Sequence, residues 1–154
     1  MKQKVLAMLM AVALCVTCTW TLDVETKAED LGEDISFSEL MTEDALVGVM
    51  ESQTWGVYLA DGYSIINKIS STKIGAGGTT TAARKCKVTT SAIVERLSGG
   101  SWLRVTSWTT TVESGYSASV SKSLTVTTGY NYRVRCLHYA GSDYSSSFTS
   151  NLYM

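Results

Sequence analysis

The chain has 154 residues, 45% of them hydrophobic and 18% charged, with a formal net charge of −1. That length holds one domain, with or without a tail, and excludes a multi-domain enzyme; the near-neutral charge argues against a dedicated nucleic-acid binder. One His, four Cys and no Pro leave little material for a metal cluster or an acid/base constellation, so no catalytic residue, metal ligand or cofactor is expected.

Lys2 and Lys4 precede an apolar run from Val5 to Val16, and no charge follows until Asp23. A basic segment ahead of such a run marks a secretory signal peptide. Spanning a bilayer takes about 20 residues, and the run through Leu22 has 18, so an uncleaved anchor is the alternative. Thr26-Lys27-Ala28 offers a small-residue cleavage site, which assigns residues 1–28 to the signal; a cut near Cys18 is the second option. A lipid anchor needs a small residue before its Cys, and neither Leu14 before Cys15 nor Thr17 before Cys18 is a good one. The chain is therefore expected to be secreted, touching a membrane only if the leader is retained. Loss of the leader removes Cys15 and Cys18 and leaves Cys86 and Cys136, an even pair that favours one disulfide in an exported chain. Two separate, reduced core cysteines are the alternative.

Residues 29–51 carry eight acids and no Lys or Arg, whereas residues 52–154 carry ten bases and four acids. Such asymmetry marks an acidic linker ahead of a globular domain. Within it, Leu40, Met41, Ala45, Leu46, Val49 and Met50 suggest a short amphipathic helix, capped by Ser38 or Thr42. The segment is expected to be a solvated linker with one transient helical turn; a segment that masks the basic domain is the sharper reading, and only residues 40–50 are then expected to be ordered. Fixing a residue costs about 1–2 kcal/mol, which exposed ion pairs worth ~0–1 kcal/mol each do not offset.

From Gly56 onward β-branched, hydroxyl and aromatic residues dominate. Val57 to Leu59, then Ile65, Ile66 and Ile69, supply opening strands. Cys86 and Val88 alternate with Lys85 and Lys87 and lead through Ile93 and Val94 to Leu97. Ser98-Gly99-Gly100-Ser101 reads as a hairpin loop, with a return through Trp102, Leu103 and Val105 to Trp108. Tyr116, Ala118, Val120, Leu124 and Val126 alternate with Ser and Thr, the period of a strand with one wet face. After a turn at Thr128-Gly129, Tyr130, Tyr132, Val134, Cys136 and His138 alternate with Arg133 and Arg135. A last element runs from Tyr144 to Tyr153. Six to eight short strands in about 100 residues predict an all-β, antiparallel two-sheet sandwich of immunoglobulin or fibronectin III type. Cys86 and Cys136 both take inward parity, so a bond between them could cross the two sheets.

Tyr-Asn-Tyr-Arg-Val-Arg-Cys (130–136), with Ala140-Gly141-Ser142 and Ser145-Ser146 after it, resembles the F strand and F–G loop of fibronectin type III domains. Four further segments are similar to an uncharacterised family of small secreted Gram-positive proteins, domain of unknown function 6147. They are Ile-Gly-Ala-Gly-Gly-Thr-Thr (74–80), Ile-Val-Glu-Arg-Leu (93–97), Gly-Ser-Trp-Leu-Arg-Val-Thr-Ser-Trp (100–108) and Tyr-Arg-Val-Arg (132–135). The resemblance implies export and a β fold and carries over no catalytic residue.

Chemistry is sparse. His138 with Asp143 five residues on could enter a Ser-His-Asp set, but no Gly-x-Ser-x-Gly elbow accompanies them, and His138 reads as a half-buried structural residue. Gly75-Ala76-Gly77-Gly78 lacks the Gly-Lys-Ser/Thr of a phosphate loop and reads as a turn with unusual φ. Glu95 and Glu113 form a glycosidase pair only in principle. Binding fits better. Trp102, Arg104 and Trp108 share one parity, either an exposed platform for sugars or protein or, as expected in a small sandwich, core with Arg104 snorkelling outward. Lys85, Lys87, Arg133 and Arg135 sit on outward parity and would form a basic stripe if their strands adjoin. The expected function is a non-enzymatic secreted or cell-surface binding module for a glycan, wall polymer or protein. A structural or effector protein without a small ligand is the alternative, and a hydrolase the third.

Overall fold

The structure is a computed structural model, described for residues 31–50 and 56–154. The expected leader and its Cys15 and Cys18 lie outside the described residues. No helix among the described residues is long and apolar enough to cross a membrane.

Eight strands and one helical turn follow in order: β1 (Glu33–Asp34), α1 (Phe37–Leu40), β2 (Leu46–Val49), β3 (Leu59–Lys68), β4 (Lys73–Ser98), β5 (Ser101–Thr125), β6 (Asn131–Ala140), β7 (Asp143–Phe148) and β8 (Leu152–Tyr153). Every pairing is antiparallel, as the alternating pattern predicts. β4 and β5 form one long hairpin closed by Gly99 (φ 58) and Gly100 (φ 80), the two positive φ values that a two-residue type I′ turn demands. The register of the hairpin shifts between Thr81 and Cys86 and again between Cys86 and Val88, and bulges of this kind bend a strand. The near half of β4 pairs with β3 and the far half with β6.

The two halves of the hairpin thus belong to two layers. The first layer is β2-β3-β4-β5-β1, and the second is β5-β4-β6 with β7 and β8 on β6. Their inner faces meet where the His138 ring lies against Gly62, close enough that a Cβ on Gly62 would sit 2.6 Å from it. Cys136 lies against Gly78 in the same way, and a Met50–Ser147 bridge ties β2 to β7. Ile66, Ile74, Val94, Trp108, Val120, Tyr132, Val134 and Cys136 fill the space between the layers.

Three expectations change here. The glycines 75, 77 and 78 are mid-strand, not a turn. Their value is close approach: a Cβ on Gly77 would lie 2.2 Å from the Val120 carbonyl, and one on Gly75 would lie 2.9 Å from Leu40. Residues 31–50 are not a solvated linker, because β1 pairs with β5, β2 pairs with β3, and Leu40 is fully buried. The helical turn is shorter than the one predicted and starts earlier. Ser36 caps it, accepting from the Glu39 amide while the Glu39 carboxylate accepts from the Ser36 amide, the reciprocal capping box. Val47 and Val49 then continue as strand, as β-branched residues prefer. Third, Trp102 to Trp108 and Tyr116 to Thr125 are one strand, with Gly115 at the bend.

Order in the acidic segment comes from the sheet edge and the buried leucine more than from charge. Lys73–Glu33 (2.6 Å) and Lys122–Asp34 (3.5 Å) pair it to the domain, but both carboxylates are largely exposed, and such pairs contribute little.

Candidate functional site

Each layer has an outer face, and the two differ. On the first layer α1 covers the sheet. Leu40 packs over Gly75 and Gly77, Phe37 meets the Tyr63 ring edge-on at 5.9 Å, and the Asn67 amide donates to the Glu39 and Leu40 carbonyls. On the second layer no described element lies over the sheet.

The open face is built by period 2 on β6. Tyr132, Val134, Cys136, His138 and Ala140 point inward and are buried, which turns Arg133, Arg135, Leu137 and Tyr139 outward. Register places Arg133, Glu95 and Arg104 in one row across β6, β4 and β5, and Phe148 beside Arg135. Glu95 is 5% exposed. It accepts from Arg133 Nε on one oxygen (2.7 Å) and from Arg135 Nε on the other (3.0 Å). The Arg133 guanidinium also lies 4.2 Å from the Trp102 ring centroid and 5.0 Å from that of Phe148. Further along, Tyr139 and Tyr144 stack at 6.4 Å, and Tyr153 is paired with Asn131 at the other end. Hydroxyl pairs Thr89–Thr111 and Ser91–Thr109 complete the sheet face.

The predicted residues divide accordingly. Trp102 and Arg104 are on this face, whereas Trp108 is core, 4% exposed, with its indole N–H donating to the Leu31 carbonyl at 3.0 Å. A register shift between Val94 and Glu95 leaves Val105 as an extra residue, so the parity that joins Trp108 to Trp102 in the sequence is inverted between them. Arg133 and Arg135 are on the face but bound to Glu95. Lys87 is paired with Glu113 at 2.9 Å, and lies six residues along β4 from Ile93, the partner of Arg135, roughly 20 Å at ~3.3 Å per residue. Lys85 lies farther still, at the bend, so the four cations do not make one stripe.

The predicted disulfide is absent, and both cysteines are free. Cys136 pairs with Ala92, Cys86 with Gly115. Cys86 is six residues up β4 from Ala92, roughly 20 Å where a bond tolerates ~7 Å between Cα atoms. Shared inward parity told nothing of this offset. Cys136 is fully buried, donates weakly to the Gly77 carbonyl (3.4 Å), and burial pushes its thiol well above the usual range. Treating the native protein with a thiol reagent and mapping the peptides should therefore show an adduct on half-buried Cys86 and none on Cys136 until the domain is unfolded.

The catalytic arrangements considered from sequence are not assembled. Asp143 accepts from the Tyr58 and Leu59 amides (2.6 and 3.1 Å), which hold its carboxyl below the usual range; it anchors the start of β3. His138 is fully buried between the layers, with Nδ1 2.8 Å from Thr80 Oγ1 and Nε2 2.8 Å from Ser147 Oγ. Glu95 faces Arg104, and Glu113 lies nine residues along β5 from it. That is about 30 Å at ~3.3 Å per residue, against 5–10 Å for a glycosidase pair.

A groove of about 950 Å³ lies along β5 between its two halves, with Leu31, Ile35, Arg104, Trp108, Ser119 and Lys122 among its walls. It runs beside the edge of the sheet and not over the aromatic face. Ser and Thr are the most frequent of its lining residues, and Trp108 is the one ring among them.

Neither the family models nor the curated proteins include a match to this chain. Among solved structures, the chain is similar to the solution structure of CsgH from R. palustris, with 16% identity over 66% of this chain and 87% of that one, at a TM-score of 0.35. It is also similar to Spo0M, a sporulation control protein from Bacillus subtilis, with 7% identity over 73% of this chain and 49% of that one, at a TM-score of 0.32. The chain spans about half the length of Spo0M. Likeness at this level bears on neither ligand nor activity.

Proposed function

We propose that the chain is an exported, non-enzymatic binding module that holds an extracellular glycan, wall polymer or protein on the outer face of the second layer. The observation that carries this reading is the difference between the two outer faces. One is covered in part by α1, while the other leaves Trp102 and Phe148 (45% exposed) beside Arg133, with Tyr139 (42%) and Tyr144 (75%) further along it. Aromatic and arginine side chains are those that most often dominate binding energy, and a rigid sheet presents them at little entropic cost. The basic leader supports export.

Pull-down against wall glycans, host glycans and envelope proteins tests the reading. Trp102→Ala combined with Tyr144→Ala should lower capture at least tenfold, because truncating a binding aromatic typically costs ~2 kcal/mol or more. Indifference of the wild-type chain to every one of these materials would instead favour a structural or effector role.

A further inference from the structure

Resting on that reading, we infer that the centre of the open face is an oxyanion socket, and that the ligand carries carboxylate or phosphate groups. Arg133 and Arg135 each give the Nε edge to a different oxygen of the same buried carboxylate. Neither has another hydrogen-bond partner among the described residues, so their Nη donors are uncommitted. Their side chains keep 23% and 33% of their surface, and both leave the sheet on its open side.

Arg133 is held further, its guanidinium lying over the Trp102 and Phe148 rings. Stacking of this kind and the pairing to Glu95 leave the Nη edge as the open way to the guanidinium. Arg104, in the same row as Glu95 and Arg133, donates to Ser107 Oγ on its own strand. Three guanidiniums stand against one carboxylate, a local charge of +2. Glu95 thus orients two guanidiniums and cancels only part of their charge. Two oriented forks about 7 Å apart along β6 (two residues at ~3.3 Å each) suit bidentate recognition of carboxylate or phosphate groups spaced along a polymer.

The test is calorimetric titration of the full chain with three polymers: polygalacturonate, poly(glycerol phosphate) and uncharged dextran. Binding to either polyanion, weakening with salt and at least tenfold tighter than to dextran, is the expected result; which polyanion binds separates carboxylate from phosphate. Arg135→Lys keeps the charge but loses the fork, and Glu95→Gln adds a unit of positive charge while replacing one of the two orienting acceptor oxygens by an N–H donor. Each should weaken polyanion binding at least tenfold. Lys68→Gln, exposed on β3 in the first layer, should change it less than twofold. Arg135 is exposed enough that its variant carries the test even where Glu95→Gln fails to fold. Equal binding of dextran, no binding of either polyanion, or unchanged or tighter polyanion binding by Arg135→Lys would overturn the socket. In all of those outcomes the pull-down above still decides whether the face binds anything.

Discussion

Acidifying the protein from pH 7 toward pH 4 should cost it about 3 kcal/mol of folding stability through His138 alone, more than half of it by pH 5. The ring is fully buried, and burial lowers its pKa from 6.5 to about 4, opposed only weakly by Asp61. The unfolded chain takes up a proton as pH falls through 6.5 and the folded chain does not until about 4, so stability falls across that window and levels below it. The hydrogen bonds explain the resistance. Thr90 Oγ1 lies 2.7 Å from the Ala118 carbonyl and 2.6 Å from Thr80 Oγ1. The Thr80 hydroxyl donates to the Thr89 carbonyl at 3.2 Å, so its single proton is not available to the ring, and Nδ1–H donates to Thr80 Oγ1. Nε2 is left to accept from the Ser147 hydroxyl. A proton on Nε2 would force the Ser147 hydroxyl to turn from donor to acceptor and would place a charge between the layers that Asp61 offsets only in part. Urea midpoints at pH 7, 6 and 5, above the range where carboxylates titrate, should show the fall in the wild type. A His138→Asn variant, less stable throughout, should show a flat profile; a wild type equally stable at pH 7 and pH 5 would contradict the account.

Gly78→Ala should destabilise the domain by about 3 kcal/mol or more, at the upper end of what single substitutions do. Its Cβ would lie 2.4 Å from the Tyr63 carbonyl and 2.5 Å from Cys136 Sγ. The carbonyl belongs to β3, whose Tyr63 and Ser64 are paired with Thr79 and Gly78 itself, so relief requires shifting a paired strand or reopening the core. Gly100→Ala makes the matched control. Nothing lies within 4 Å of its Cβ position, and only the positive φ of 80° opposes it, at about 1–2 kcal/mol. Thermal melts of the two variants should separate a steric cost from a conformational one.

Period-2 patterning was enough to read the strands of the second layer, the Gly99-Gly100 hairpin and the inward set on β6, because one face of each is dry. It failed where the two faces are alike. Around Gly75 to Gly78 both sides of β4 are covered, by Leu40 on one and by the other layer on the other, so small residues replace alternation. It failed again where a bulge resets the phase: Trp102 and Trp108 differ in fate through one extra residue that no periodicity announces. The acidic segment was misjudged because its two edge strands span only two and four residues and depend on partners far along the chain. Of the site, Arg133, Arg135, Trp102 and Arg104 were legible as outward or ambiguous side chains. Glu95 as their common acceptor, and Phe148 and Tyr144 as neighbours, depend on the register of β4, β6 and β7, which is a tertiary fact.

Two strands that run unbroken through both layers leave the domain without a seam. In a sandwich whose sheets meet only through side chains, a tug on one sheet reaches the other by way of packed methyl groups, and the sheets can slip. Here a load applied at Trp102 would pass to β5 directly. Covalent backbone carries that load around the bend at Gly115 to Ser123, where β5 is paired with β1. The outer face of the second layer and the edge nearest the start of the described chain lie on one continuous strand. A module tethered at its N-terminal side could bear tension along that line without first prising its core apart.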